Sequence, residues 1–160
     1  MTKAEVREQI LLTRIVPVIR AATADMALAA AQAVADGGVP IVEVTMTVPG
    51  PIGAIERLRG TTNLVVGAGT VLDAETAERC VSAGAQFLVS PGFNRETVEL
   101  ARCKDVLVIA GGLTPTEVIE AWKAGSDFVK IFPCGNVGGP SYIKALKAAL
   151  PQIPWCRRAA

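Results

Sequence analysis

The sequence predicts an α/β fold of the (β/α)8 TIM-barrel type, with about six βα units in a row. Three observations predict it. Short β-branched runs alternate with alanine-rich stretches of helical length along all 160 residues. The strand-like runs are too apolar for one-sided exposure, as in a parallel sheet covered by helices. A weak internal echo adds to this. Ala35-Asp36-Gly37-Gly38, Ser82-Ala83-Gly84 and Lys123-Ala124-Gly125 each close a helix just before an apolar run. Periodicity alone does not separate a barrel from an open doubly wound sheet. The dinucleotide-binding fingerprint is missing, because Gly67-Ala68-Gly69 runs into Thr70-Val71 with no third glycine at the required offset. The barrel is the favoured architecture.

The elements follow in order. Val16-Pro17-Val18-Ile19 is a first strand, and Thr23 to Asp36 a helix with Asp25 near its cap. Ile41 to Thr45 is the second strand, and Pro51 to Arg59 a helix opened by proline in its first turn. Leu64 to Gly69, Phe87 to Ser90, Val106 to Ala110 and Phe128 to Phe132 are strands three to six. Their helices are Asp73 to Ala83, Asn94 to Cys103, Thr114 to Gly125 and Ser141 to Leu150. Pro151-Gln152-Ile153-Pro154-Trp155 reads as the start of a seventh strand that breaks off. The expected organisation is one domain over residues 1–160, an incomplete barrel lacking its last two units.

Composition narrows the function classes. Hydrophobic residues make up 51% and charged residues 19%, enough for one globular core and unlike a disordered chain. The net charge of +1 forces no basic face, so nucleic acid is not an expected partner. The densest charge run, Arg157-Arg158, reads as solvated surface. The N-terminus lacks a signal-peptide apolar run, and no stretch approaches the ~20 apolar residues that span a bilayer. A cytoplasmic location is the expectation. Cys80, Cys103, Cys134 and Cys156 form no C-x-x-C pair and read as reduced, partly buried thiols. With no histidine in the chain, proton transfer falls to carboxylate, lysine, tyrosine, cysteine or water.

Lys130 is the sharpest chemical signal. It interrupts an otherwise apolar strand and shares a face with Phe128 and Phe132. Inside a barrel, desolvation disfavours an ammonium and leaves an amine that attacks carbonyls. A lysine that snorkels outward or pairs in a salt bridge fits the same pattern. Glu43 interrupts the second strand in the same way, on the face of Ile41 and Thr45. Strands two and six lie across an eight-stranded barrel from each other, and inward residues from alternate strands share layers. Glu43 and Lys130 then face one cavity, either as base and nucleophile or as a buried ion pair. The turns Gly67-Ala68-Gly69-Thr70, Ser90-Pro91-Gly92 and Phe132-Pro133 follow strands three, four and six, at the end where barrel active sites are built. Backbone N–H groups and the Thr70 hydroxyl there suit an anion such as a carboxylate. Tight βα connections fit the same glycines.

At these residues the sequence resembles the 2-keto-3-deoxy-6-phosphogluconate (KDPG) and 4-hydroxy-2-oxoglutarate (KHG) aldolase family, from about Arg14 to Pro154. The landmarks come in order: Val16 to Ile19, Val42-Glu43-Val44-Thr45, Gly67-Ala68-Gly69-Thr70-Val71, Phe87 to Gly92, and Phe128-Val129-Lys130-Ile131-Phe132-Pro133. The resemblance implies a (β/α)8 barrel, a homotrimer, and neither metal nor cofactor. It implies an Entner-Doudoroff type of lyase working on a small 2-keto acid, with pyruvate as one product. Lys130 matches the Schiff-base lysine and Glu43 the proton-carrying glutamate. Thr70 and the glycine turn through Gly69 match the pyruvate-carboxylate site, Pro91 and Phe132 match residues packed around the bound ketone, and Thr45 and Thr47 complete the implied substrate-binding set.

Three departures stand out. Thr47 sits where the family often has an arginine, so a fixed positive charge for the substrate's anionic end is missing there. Ala110 stands where a proline is common. Trp155-Cys156-Arg157-Arg158-Ala159-Ala160 replaces a Pro-Thr-Gly-Gly turn and an eighth unit. The expectations that follow are low stability, self-association and weak turnover of phosphorylated substrates. The rival expectation is a non-catalytic aldolase remnant; an isomerase or epimerase barrel lacks both its histidines and its phosphate loop here.

Overall fold

The computed structural model describes residues 1–60 and 64–157, without the side chain of Arg157. Arg158, half of the charge run read as solvated surface, lies outside the described residues. Helix α1 (Lys3–Thr13) precedes a regular alternation: β1 (Val18–Ile19), α2 (Ala24–Asp36), β2 (Ile41–Thr45), α3 (Pro51–Leu58), β3 (Val65–Gly69), α4 (Ala74–Ser82), β4 (Phe87–Val89), α5 (Arg95–Cys103), β5 (Leu107–Gly112), α6 (Pro115–Ala124), β6 (Phe128–Ile131), α7 (Pro140–Ala149) and β7 (Trp155–Arg157). The seven strands form one parallel sheet in the order β1-β2-β3-β4-β5-β6-β7. Sequential parallel order with a helix between successive strands is the barrel-type winding that the alternation predicts. Among the described residues β1 and β7 are the two edges.

The two faces of the sheet bury different clusters. On the helix-covered face, Val42, Val44, Val66, Ala68, Leu88, Val108, Ala110, Val129 and Ile131 pack against the helices. On the inner face, Ile41, Val65, Phe87, Val89, Leu107, Ile109 and Phe128 form a second cluster. Val6 and Ile10 of α1 close that inner cluster from below. Lys3 ties α1 to Asp127 at 2.9 Å, and the Arg7 guanidinium stands 5.6 Å from the Phe128 ring centre, at the start of β6.

The differences from the sequence reading have physical causes. Helix α1 is absent from that reading because its face is only faintly amphipathic, with two buried residues, Val6 and Ile10. Its capping box was legible: the Thr2 hydroxyl accepts from the Glu5 N–H, and the Glu5 carboxylate accepts from the Thr2 N–H at 2.7 Å. The cap of α2 is Thr23, which accepts from the Met26 N–H at 3.2 Å, while Asp25 sits in the first turn. β1 is shorter than the apolar run that marked it. The chain after Pro154 does pair, as β7, in register with β6. Cys103 is exposed rather than partly buried.

Candidate active site

Strand parity places the two charged residues. Ile41, Glu43 and Thr45 alternate onto the inner face of β2, and Phe128 and Lys130 onto that of β6. Glu43 is 5% exposed and Lys130 8% exposed. Both line a cavity of about 910 Å3 bounded by the end of α1, β1 and β7, with Ile10, Arg14, Val18, Phe128, Trp155 and Cys156 among its walls. Among the described residues Glu43 and Lys130 form no ion pair with each other. The alternative of a purely structural salt bridge therefore loses its main support. The Lys130 ammonium instead stands 5.2 Å from the Phe132 ring centre.

Burial pushes the Glu43 carboxyl above its ordinary value. The positive charges of Lys130 and Arg20 pull it down, and burial outweighs them. A carboxyl raised in this way is better able to give a proton as well as take one. Gly69 makes room for it, because a Cβ at that position would overlap the Glu43 carboxyl group. Gly69 was read from sequence as part of an anion cradle; its visible task is to let Glu43 reach over β3.

The remaining predicted residues sit at the carboxyl ends of the strands. Thr45 is fully buried; its hydroxyl lies 2.7 Å from that of Thr47 and 3.2 Å from the Ile19 carbonyl, tying β2 to β1. Thr47 itself is exposed. Thr70 follows β3 with φ of +59°, a left-handed backbone that side chains other than glycine rarely adopt. Pro91 presses its backbone onto Gly111, where any Cβ would overlap it. The Ser90 hydroxyl fixes that turn, donating to the Gly92 carbonyl at 2.7 Å and accepting from the Gly111 N–H at 3.3 Å. Phe132 follows β6 through a cis peptide bond to Pro133. Glu43 and Lys130 share the large cavity, whereas Thr45, Thr47, Gly69, Thr70, Pro91 and Phe132 stand outside its walls, around the strand ends.

Three residues near the pair escaped the sequence reading. Arg20 follows the short strand β1 and acts on Glu43 through its charge. Its signal was position alone, directly after an apolar run. Ser126 accepts from the Ala110 N–H at 2.9 Å and lies 2.6 Å from the Phe128 carbonyl, locking β5 to the start of β6, the strand of Lys130. Cys156 pairs with Lys130 across β6 and β7 and turns to the same face. Burial pushes its thiol up, and the nearby Glu43 adds to the shift. Only knowledge of the register could have found it.

A barrel-type α/β sheet carrying a buried lysine and a buried glutamate on its inner face is an arrangement that can support attack on a carbonyl. The comparisons give the family. A family model described as KDPG and KHG aldolase matches residues 6–158, and the chain belongs to that family. The 2-dehydro-3-deoxy-phosphogluconate aldolase of Pseudomonas aeruginosa is 35% identical over 144 residues, covering 89% of this chain and 66% of that protein. The 2-keto-3-deoxy-6-phosphogluconate aldolase of Zymomonas mobilis, solved with 3-phosphoglycerate, superposes with a TM-score of 0.91 at 28% identity, covering 99% of this chain and 76% of that one. The KDPG aldolase of Legionella pneumophila, solved with pyruvate as a covalent carbinolamine, gives a TM-score of 0.82 at 34% identity, covering 89% and 69%. The chain spans about two thirds of the length of the curated relatives it matches.

Proposed function

We propose that this chain is a Schiff-base aldolase that cleaves 2-keto-3-deoxy-6-phosphogluconate or 4-hydroxy-2-oxoglutarate to pyruvate and an aldehyde. The observation that carries the reading is the buried Lys130, without an ion pair among the described residues, facing the same cavity as a Glu43 whose carboxyl is raised by burial. The Lys130 amine attacks the C2 carbonyl, and Glu43 delivers the proton that lets water leave. The resulting iminium draws the electrons of the C3–C4 bond as Glu43 takes the proton of the C4 hydroxyl, releasing the aldehyde. Protonation at C3 and hydrolysis then free pyruvate and Lys130. The carbinolamine in the Legionella relative supports this order of events.

Thr70 with Gly69 receives the substrate carboxylate, Pro91 and Phe132 pack beside the ketone, and Thr45 and Thr47 line the approach. The strained backbone of Thr70 supports a binding role, since such conformations cluster at ligand sites. We read the chain as one domain that acts in the cytoplasm and assembles as a trimer. No helix among the described residues is long and apolar enough to cross a membrane. The test is pyruvate release from each substrate by the purified chain, with its mass in solution measured alongside. Release that disappears in Lys130→Met supports the reading; release unchanged in that variant removes it.

A further inference from the structure

We propose that Cys156 is a second nucleophile of this site, holding a small 2-oxo acid jointly with Lys130 as a bridged N,S-acetal. The inference rests on the reading of Lys130 as a Schiff-base former. Its geometric basis is the register. Lys130 and Cys156 are direct partners on adjacent parallel strands. Such strands lie ~4.8 Å apart, and paired residues project to one face. Both side chains line the cavity that also holds Glu43. Lys130 is more than nine-tenths buried, at 8% exposure, and among the described residues its Nζ makes no hydrogen bond or ion pair, standing 5.2 Å from the Phe132 ring centre. The Glu43 carboxyl, at 5% residue exposure, is likewise without a side-chain hydrogen bond or ion pair among them. An amine, a thiol and a carboxyl thus converge on one space.

The chemistry balances without an oxidant or reductant. The amine condenses with the C2 carbonyl and expels water, leaving an iminium. The sulfur of Cys156 then bonds to C2, the C=N electron pair returns to nitrogen, and the thiol proton passes to Glu43. The protein gains one 2-oxo acid less one water. Burial keeps the Cys156 thiol protonated, so the step needs a base at hand, and Glu43 is that base. The adduct has no C=N bond and therefore no electron sink, so it stores the 2-oxo acid instead of processing it. The other cysteines lack this placement: Cys80 is buried on the helix side of the sheet, Cys134 packs against that same helix-side cluster, and Cys103 is exposed on α5.

The test uses the whole chain with pyruvate labelled with carbon-13 at C2. The expected result is a protein-bound tetrahedral C2 resonance that is lost in Lys130→Met and in Cys156→Ser. Borohydride trapping at Lys130 should rise in Cys156→Ser, because the competing sink is gone. Blocking Cys156 in the unmutated chain with a methanethiosulfonate should abolish the resonance, and dithiothreitol should restore it, which keeps the test independent of how the variants fold. Cys103 should alkylate at the same rate with and without pyruvate. If borohydride traps pyruvate on Lys130 while every bound C2 signal survives thiol blocking, the N,S-acetal is wrong and the lysine assignment stands. If folded protein forms no adduct at all, the lysine assignment fails and takes this inference with it.

Discussion

The two faces of one sheet divide the work of this molecule. Val42, Val44, Leu88, Val129 and Ile131 face the helices and are wholly apolar and fully buried. Glu43, Thr45 and Lys130, the immediate neighbours in sequence of Val42, Val44, Val129 and Ile131, face inward and carry charge or hydroxyl. Inner-face glycines at 69 and 111 give up packing so that Glu43 and the Pro91 turn can approach. The contrast teaches that a parallel strand can place an ionisable group one residue away from the core that stabilises it, because side chains alternate. Changes on the inner face should therefore alter chemistry and changes on the outer face stability.

The largest break in that comparison is Lys130→Met, which keeps the length of the side chain and removes its amine. Pyruvate release should fall below detection, while far-UV circular dichroism stays that of the parent. Glu43→Gln comes next, with a loss of about 10²–10⁴-fold in turnover, the usual worth of a positioned acid–base group. The same variant has a stability signature of defined sign. The folded carboxyl is raised above its unfolded value by burial, so its favourable contribution is full below the unfolded value and is lost as pH rises through the folded one. Glu43→Gln should therefore gain thermal stability relative to the parent near neutrality, and the gain should vanish in acid. A melting temperature below that of the parent at neutral pH would show that attraction to Lys130 and Arg20 outweighs burial.

Gly69→Ala sharpens the contrast within the inner face. Its methyl would occupy the space of the Glu43 carboxyl, so turnover should fall towards that of Glu43→Gln although no ionisable group changes. On the outer face, Leu88→Ala should lower unfolding stability by about 2–5 kcal/mol in denaturant melts, as for other buried leucines. The fraction of pyruvate trapped per folded molecule should not change. Ile131→Val, beside Lys130 but on the helix side, is the mildest test, at about 0.5–1.5 kcal/mol.

Much of this division was legible before any coordinates. A lysine in Phe128-Val129-Lys130-Ile131 and a glutamate in Ile41-Val42-Glu43-Val44 betray their faces by parity, because the alternation is a local property of the chain. The turn residues Thr70, Pro91 and Phe132 were legible by their position after strands. What stayed hidden depends on contacts distant in sequence. Helix α1 earns its place through Val6 and Ile10 beneath the inner cluster, which its own weak pattern does not announce. Cys156 needed the pairing of β6 with β7. The role of Gly69 needed the direction in which Glu43 leans.

The central claim is that Lys130 is the carbonyl-attacking amine of this family member. The most direct measurement is to incubate the purified chain with pyruvate and sodium borohydride, digest it, and locate the added mass. The account predicts a reduced pyruvate adduct on Lys130 that is absent from Lys130→Met. Folded protein that carries no adduct, or carries it on another lysine, would contradict it.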